Sequence, residues 1–177
     1  MQEPEPELSE QLLEAARRAR LSAAGGEGTD LSGYLSLRAV NDRLRERGAG
    51  ALLDAFTALA GEANRRGAAV TLSRAEPHRF RVGNSTMVGT RLTLARGVRS
   101  LTVEAGWPRA PRDGIVRGGG LACARVTHFG APAAGEDLLL VLDVGGTPLW
   151  VAPAEGGAHR ELTPERVCRH VLKLLGD

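Results

Sequence analysis

The sequence has little of what usually carries covalent chemistry or membrane attachment. It has two cysteines, Cys123 and Cys168, which are too few for a disulfide scaffold and are most simply reduced thiols. The longest strongly apolar run, Leu138–Leu142, is far too short to span a bilayer. The acidic start of the chain has no apolar segment of the kind that begins a secretory signal. We therefore expect a cytoplasmic protein that makes no contact with membranes.

Aromatic residues and lysine are also scarce. Aromatics make up 3% of the 177 residues, so a core has to be built from Leu, Val and Ala. Lys173 is the single lysine among 23 basic residues, which is typical of a GC-rich coding bias. The excess of arginine over lysine therefore indicates no special chemistry by itself. The length and the 42% hydrophobic content suit one folded domain with a core of its own.

The arginines are concentrated in the middle of the chain. Between Ala69 and Phe129 ten arginines stand against three acids, which gives a charge of about +7 there. Residues 1–68 and 130–177 are mildly acidic, so the net charge of +2 conceals a basic centre. Because this centre also has the pattern of β-strands, its charge is expected on a sheet face, where it selects the partners that can approach.

The N-terminal third has the apolar spacing of helices. Apolar residues recur at i, i+4 and i+7, and glycines interrupt the pattern between its segments. Gly48 and Gly50 are expected to break the helical region, and Gly67 to end it. The expected segments are a disordered acidic tail over 1–7, helices over about 8–21, 35–47 and 51–66, and a loop over 23–30.

After Gly67 the apolar period changes to two, which is typical of strands with one buried and one polar face. Alternating runs bounded by Pro, Gly or Asn continue to about residue 152, with hairpin turns predicted at Gly83-Asn84 and Arg96-Gly97. Thr163-Pro164-Glu165 supplies a hydroxyl N-cap, a proline at N1 and an acid for the first turn of a helix over about 164–175.

These patterns predict the α+β class. The expected order is N-terminal helices over about 8–66, an antiparallel meander of about six or seven strands over about 69–152, and a C-terminal helix packed on one face of the sheet. Apart from the acidic tail, residues 8–177 are expected to form a single domain.

The arginines of this region are the candidate binding residues. Arg79 and Arg81 flank Phe80, and Arg91 precedes Leu92, so inward-pointing Phe80 and Leu92 would place the three arginines on one polar face. A glycine-rich loop also bears arginines whose guanidiniums could grip a phosphate or carboxylate, although a plain surface connector is the commoner role. The candidate anion- or partner-binding residues are Arg79, Arg81, Arg91, Arg109, Arg112 and Arg117.

One short string resembles a nucleotide-binding loop. Leu142–Thr147 is similar to the first phosphate loop of sugar kinases of the actin-like ATPase superfamily, where an Asp, two glycines and a Thr surround nucleotide phosphates on a β-hairpin. The resemblance covers six residues, only 30 residues follow Thr147, and Pro148 removes a backbone donor. We interpret the string as a tight hairpin turn.

No metal, cofactor or catalytic residue is predicted. Cys123 and His128, five apart on a strand, face opposite sides of a sheet, and Cys168 and His170 lie about 200° apart around a helix. Neither pair can chelate a metal locally, whereas a Cys–His dyad formed across the fold stays open.

Two further expectations concern other residue types. Glu104 and Asp113 should pair with arginines. Trp107 and Trp150 should belong to the core more readily than to the wall of a ligand site.

The sequence therefore favours a non-enzymatic domain that binds through its arginines. The partner is expected to be an acidic protein surface, a second copy of the chain or a small anion. A sequence-independent nucleic-acid binder is an alternative, although outward aromatics for base stacking are missing from the predicted face. A helix-grip-like carrier or enzyme is another, and it would need a large apolar cavity between the last helix and the sheet.

Overall fold

The computed structural model describes residues 31–176. These residues fall into two units, 31–44 and 45–176. A helix, Leu31–Arg65, begins in the first unit and ends in the second, which also contains all the strands. The predicted acidic tail, the helix over about 8–21 and the loop over 23–30 lie outside the described residues, and the single-domain expectation stays a prediction.

The described residues form two α-helices and one seven-stranded sheet. The strands lie in the sheet in their sequence order, and each pairs antiparallel with its neighbours, so the predicted α+β meander is confirmed. The elements are α1 Leu31–Arg65, β1 Thr71–Val82, β2 Ser85–Arg96, β3 Arg99–Trp107, β4 Ala122–His128, β5 Glu136–Leu142, β6 Pro148–Pro153, β7 His159–Glu161 and α2 Pro164–Leu175.

The main core lies between the helices and one side of the sheet, which we call the helix face. Helix α2 buries the stripe that its sequence predicts, and α1 adds fully buried Phe56. Each such side chain contributes about 1.5–3 kcal/mol when it leaves water. The core has the aliphatic composition that the scarcity of aromatics requires; its members include Leu52, Leu53, Leu94, Leu101, Val103, Val126, Leu140, Val167, Val171 and Leu174.

Helix α1 is continuous where a break was predicted at Gly48 and Gly50, so that prediction is wrong. Gly48 lies against the sheet, where its carbonyl accepts a hydrogen bond from Trp150 Nε1 at 2.9 Å. A Cβ at this position would lie 2.7 Å from both methyl groups of Leu140. Gly48 therefore allows the helix to approach the sheet closely, and packing compensates for its poor helix propensity.

Gly48 and Gly50 are expected to respond oppositely to alanine. A Cβ at position 50 meets no atom within 4 Å, so Gly50→Ala should raise the free energy of unfolding by about 1 kcal/mol. Gly48→Ala gains the same helix propensity but must displace buried Leu140, and it should be less stable than Gly50→Ala by about 1–3 kcal/mol. Urea denaturation of the two variants measures the difference, and equal stabilities would refute the close approach.

The other side of the sheet, which we call the outer face, bears a second and smaller apolar cluster. It comprises buried side chains from five strands and is packed by Val116 of the loop that joins β3 to β4. The alternating pattern predicts one apolar face for the sheet, whereas this cluster makes the second face partly apolar as well. Its buried members are Phe80, Met87, Cys123, Leu139 and Val151.

A bulge in β1 carries Phe80 to the outer face. Leu72 pairs with Leu94 on the helix face, whereas Phe80 pairs with Met87 in the outer cluster. Between Ala75 and His78 the register shifts by one residue, which inverts the side-chain alternation along the strand.

The bulge corrects one prediction about the arginines. Arg79 and Arg81 pair with Val88 and Thr86, whose positions along β2 put them on the helix face. Arg91, at an alternate position of the same strand, belongs to the outer face. The prediction that these three arginines share one sheet face is therefore wrong. Phe80 is buried as expected, but under the opposite face from Leu92.

The turns largely follow the predicted chemistry. Gly83-Asn84 connects β1 to β2 as predicted, and the β2–β3 turn is Gly97-Val98, one residue later than predicted. Gly83 and Gly97 both have φ of +58°, which suits glycine at the first central position of a hairpin turn. The short strand β7 was not predicted.

Among the described residues, no helix is long and apolar enough to cross a membrane.

Candidate functional site

Five of the six candidate arginines gather at one end of the sheet. This end is formed by the β1–β2 turn and by the loop over residues 108–121, which contains two short 3-10 turns. All five side chains are exposed. We call this group the basic end; its members are Arg79, Arg81, Arg109, Arg112 and Arg117.

Asp113 organises the basic end. Its side chain, only 6% exposed, accepts a 2.8 Å hydrogen bond from Arg79, which is itself 57% exposed. It also accepts hydrogen bonds from the backbone N–H groups of Ala110 at 3.0 Å and Arg109 at 3.3 Å. The predicted pairing of Asp113 with an arginine is confirmed.

These contacts set the ionisation of Asp113. Desolvation opposes the charged form, but the amides of Ala110 and Arg109 and the Arg79 guanidinium outweigh it and lower the pKa of the carboxyl. A carboxyl with a lowered folded pKa stabilises the fold above its unfolded pKa, and that stabilisation is lost as pH falls through the folded value. The ion network of the loop is therefore intact at neutral pH.

Acid is expected to open this loop through Asp113. We expect the amide protection of Ala110 to be constant at neutral pH and to fall only below the ordinary carboxyl range, as Asp113 takes up its proton. Hydrogen exchange measured across this acidic range, corrected for intrinsic rates, checks the result. In Asp113→Asn the transition should disappear, and a transition unchanged by that substitution would exclude Asp113 as its source.

Trp107 is a support for the basic end and offers no surface for a ligand. The Arg109 guanidinium lies 3.8 Å from the centre of the Trp107 ring, an arrangement that favours the cation. Trp107 is buried, and Trp150 is also buried and bonded to the carbonyl of Gly48. Both tryptophans therefore belong to the core, as expected.

Four guanidinium groups of the basic end have no acidic partner in the described part of the chain. That of Arg109 lies over the Trp107 ring. Arg81, Arg112 and Arg117 are exposed and make no ion pair or hydrogen bond there. The Arg117 guanidinium carbon lies 3.8 Å from the position of a Cβ on Gly83, which places Arg117 beside the β1–β2 turn. Five arginines against one contacting aspartate leave the group with a formal charge of +4.

An exposed isoleucine lies among these arginines. Ile115 is 73% exposed, yet its backbone is held on both sides by buried Ser85. The Ser85 hydroxyl donates to the Ile115 carbonyl at 2.9 Å and accepts from the Ile115 N–H at 3.3 Å. The loop thus presents an apolar side chain on a fixed backbone. The glycine-rich sequence of the loop, typical of a surface connector, gave no sign of this.

Arg91 lies away from the basic end. It belongs to an outer-face row in which Arg91, Glu104, Arg125 and Asp137 are register neighbours of alternating sign. Arg125 donates to Asp137 at 2.8 Å. Glu104 contacts His78 at 2.5 Å and makes no recorded ion pair with an arginine in the described chain, contrary to expectation.

The opposite end of the sheet carries a partly buried chain of ionisable groups. His128 of β4 and His170 of α2 are joined by a 2.9 Å hydrogen bond between Nε2 and Nδ1. His170 Nε2 faces Glu136 Oε2 at 3.6 Å, and Glu136 Oε1 accepts a hydrogen bond from Arg166. Arg166 also donates to the carbonyls of β7, so the carboxylate is fixed by a bonded cation.

Both histidines resist protonation. Desolvation, then His170 and Lys173, lower the pKa of His128. Desolvation also lowers the pKa of His170, although Glu136 acts in the opposite direction. The pair is therefore neutral at physiological pH.

His128 borders a surface cleft of about 330 Å³. Arg99 and Lys173, both exposed, line the same cleft, as does Phe129, which is 77% exposed. A second cleft of about 480 Å³ lies between the end of α1 and α2 and is lined by Cys168, Arg66 and Arg96 together with apolar side chains.

Cys123 is a core residue of the outer face. Cys123 is buried in the outer cluster, whereas His128 has helix-face parity, so the predicted opposite orientation of the two is confirmed. Burial and, next, Asp137 raise the pKa of the Cys123 thiol to about 11. Within the described residues, no three His, Cys, Asp or Glu side chains are grouped to hold a metal ion.

The phosphate-loop-like string forms the β5–β6 turn. Asp143 Oδ1 accepts hydrogen bonds from the N–H groups of Gly145 at 2.8 Å and Thr147 at 2.9 Å. Gly146 donates to the Asp143 carbonyl at 3.1 Å. Two amides of the loop are thus occupied by its own aspartate, and the hairpin-turn interpretation is confirmed.

The pairing of His128 with His170 was not foreseen, although periodicity contained part of the signal. His128 has the strand parity of buried Val126, and His170 adjoins the buried positions Val167 and Val171 of α2. Both therefore lie at the margin of the core. Spacing within one segment cannot reveal the contact of two histidines that lie 42 residues apart in the chain.

The chain matches no protein-family model, no curated protein and no solved structure.

Proposed function

We propose that this protein is a non-enzymatic interaction domain that binds an acidic segment of a partner protein at its basic end. The observation that carries the proposal is the unneutralised charge of +4 around Ile115. Arginines around a central apolar anchor are the composition that protein interfaces favour. The anchor costs little to order, because Ser85 already holds the Ile115 backbone.

A protein partner is favoured over single-stranded nucleic acid. Base stacking needs exposed aromatic rings, and in the described structure the basic end offers none: Trp107 lies beneath Arg109, and Phe80 is buried. An exposed isoleucine contributes nothing to phosphate recognition but can fill an apolar socket on a protein. A single-stranded nucleic acid is the alternative partner, and competing peptide and oligonucleotide probes distinguish the two.

Fluorescence anisotropy with labelled peptides tests the proposal. The probes are a peptide of Glu-Glu-Leu triplets, a peptide of Glu-Glu-Ser triplets with the same length and charge, and a single-stranded oligonucleotide of equal charge. We expect the leucine peptide to bind most tightly, with an affinity that falls as salt screens the charges. Ile115→Ser should remove the preference for leucine over serine and leave binding of the serine peptide unchanged.

A charge reversal at the basic end has a matched control elsewhere. Arg81→Glu with Arg117→Glu takes the local charge from +4 to zero and should weaken binding of the acidic peptides at least about tenfold. Arg47→Glu with Arg65→Glu changes the net charge equally on α1 and should have less than about a threefold effect. Equal losses in both variants, or tightest binding of the oligonucleotide, would overturn the proposal.

A further inference from the structure

At the other end of the sheet, the positions of the protons on the two histidines follow from their contacts with each other and with Glu136. If His170 carried its proton on Nδ1, its Nε2 lone pair would face the Glu136 carboxylate, which is repulsive. The carboxylate therefore places the His170 proton on Nε2, and His170 Nδ1 must accept the hydrogen bond from His128 Nε2. Neutral His128 is left with its remaining ring nitrogen, Nδ1, unprotonated.

His128 Nδ1 is the end of this hydrogen-bonded row of side chains that lies nearest the cleft. His128 Nδ1 makes no hydrogen bond in the described structure, and the one buried side-chain atom found there without a partner is Glu136 Oε2. His128 is buried as a whole, but its Nδ1 is not among the fully buried unpartnered atoms of the described residues and so keeps some accessible surface; His128 is also a lining residue of the cleft. The next proton taken up by the pair therefore goes to an atom that faces the cleft.

We propose that this cleft binds a small oxyanion, a carboxylate or a phosphate-like group, and that it does so together with a proton on His128 Nδ1. Neutral His128 presents a lone pair, which repels an anion, whereas protonated His128 presents an N–H donor. Arg99 and Lys173 supply fixed positive charge beside it. The site is separate from the basic end and does not depend on the partner proposed there.

The surroundings explain why the proton and the anion arrive together. The titratable and charged groups that face the histidine pair are Arg99 of β3, Glu136 of β5, Arg160 of β7, and Arg166, Arg169 and Lys173 of α2. From α1 the pair meets the apolar ring of Phe56, 6.2 Å from that of His170. Glu136 is already engaged by Arg166, so a bound anion would supply the missing counter-charge at His128.

Sulfate is a suitable probe, because its charge stays constant across the range in which histidine titrates, and acetate represents carboxylates. NMR of the full chain with labelled histidine follows the His128 ring during titration with each salt. We expect sulfate or acetate to raise the titration midpoint of His128, and to bind at least about tenfold more tightly at about pH 5.5 than at about pH 8.

Four variants make the outcome decisive. Lys173→Met should weaken binding of the anion, while Arg112→Met, which removes one charge at the basic end, should not. His128→Gln has an amide donor that needs no proton, so its residual binding should be independent of pH. The proposal would be overturned if Lys173→Met left the anion affinity unchanged. It would also be overturned if the His128 ring resonances did not shift at saturating concentrations of both anions. The variant with Arg81→Glu and Arg117→Glu should bind sulfate normally, which separates this site from the proposed protein interface.

Discussion

Glu136→Gln should lower the free energy of unfolding by about 3 kcal/mol or more. Glu136 is 14% exposed and accepts a hydrogen bond from Arg166, which is 11% exposed. Removing one partner of a largely buried ion pair leaves the other charge without its counter-charge, which costs far more than the pair contributes. Arg166 would keep its bonds to the carbonyls of Arg160 and Glu161 but would lose its carboxylate.

Asp137 is the matched control for Glu136, since it is the next residue of the same strand. Its carboxylate is 61% exposed and pairs with Arg125, so water screens the interaction. Asp137→Asn should therefore change the free energy of unfolding by less than about 1 kcal/mol. Chemical denaturation of both variants at neutral pH gives the comparison. Similar losses would mean that Glu136 is no more critical than a surface residue.

Gly89→Ala should also destabilise the fold strongly, by upwards of about 3 kcal/mol. Gly89 of β2 pairs with Gly106 of β3, and the two backbones approach where neither residue has a side chain. A Cβ on Gly89 would lie 2.0 Å from the carbonyl oxygen of Ala105 and 2.6 Å from the Cα of Gly106. Because these are backbone atoms, no rotamer change can relieve the overlap, and β3 has to move.

Gly61→Ala serves as the control for Gly89→Ala. A Cβ at position 61 would meet only the end of Arg65, at 3.9 Å, so helix propensity should make this variant at least as stable as the unmodified protein. Thermal unfolding followed by circular dichroism distinguishes the two. A Gly89→Ala protein that unfolds at the original temperature would contradict the close approach of β2 and β3.

The sequence predicted the order of elements because local signals and tertiary structure agree there. The period-two runs gave the sheet, and Thr163-Pro164 marked the start of α2 at Pro164. Gly48 was misjudged because its effect depends on Leu140 and Trp150, which are about a hundred residues away in the chain. Local propensity cannot register a contact at that separation.

The candidate site was only partly predictable, because the arginines are close in the sequence but are brought together by long-range contacts. The concentration of arginines identified the region, but their common location comes from the loop over 108–121 folding beside the β1–β2 turn. Asp113 reaches Arg79 across 34 residues, and Ser85 reaches Ile115 across 30. The bulge before His78 also reversed the face of Phe80, which no alternation pattern would have shown.

The two ends of the sheet make independent predictions about charge. At the basic end the positive charge is permanent, so binding there should depend on salt and little on pH near neutrality. At the cleft the charge includes a titratable histidine, so binding should depend on both. The pH dependence of each interaction is therefore a simple way to tell which end a given ligand occupies.

The most direct test of the account is an amide NMR map of the peptide of Glu-Glu-Leu triplets bound to the full chain. We predict that the shifted resonances are those of residues 79–86 and 109–118, with Ile115 among the largest, and that Arg99, His128 and Lys173 are unaffected. Shifts centred on the cleft or on the groove near Cys168, or spread evenly over the sheet, would contradict binding at the basic end.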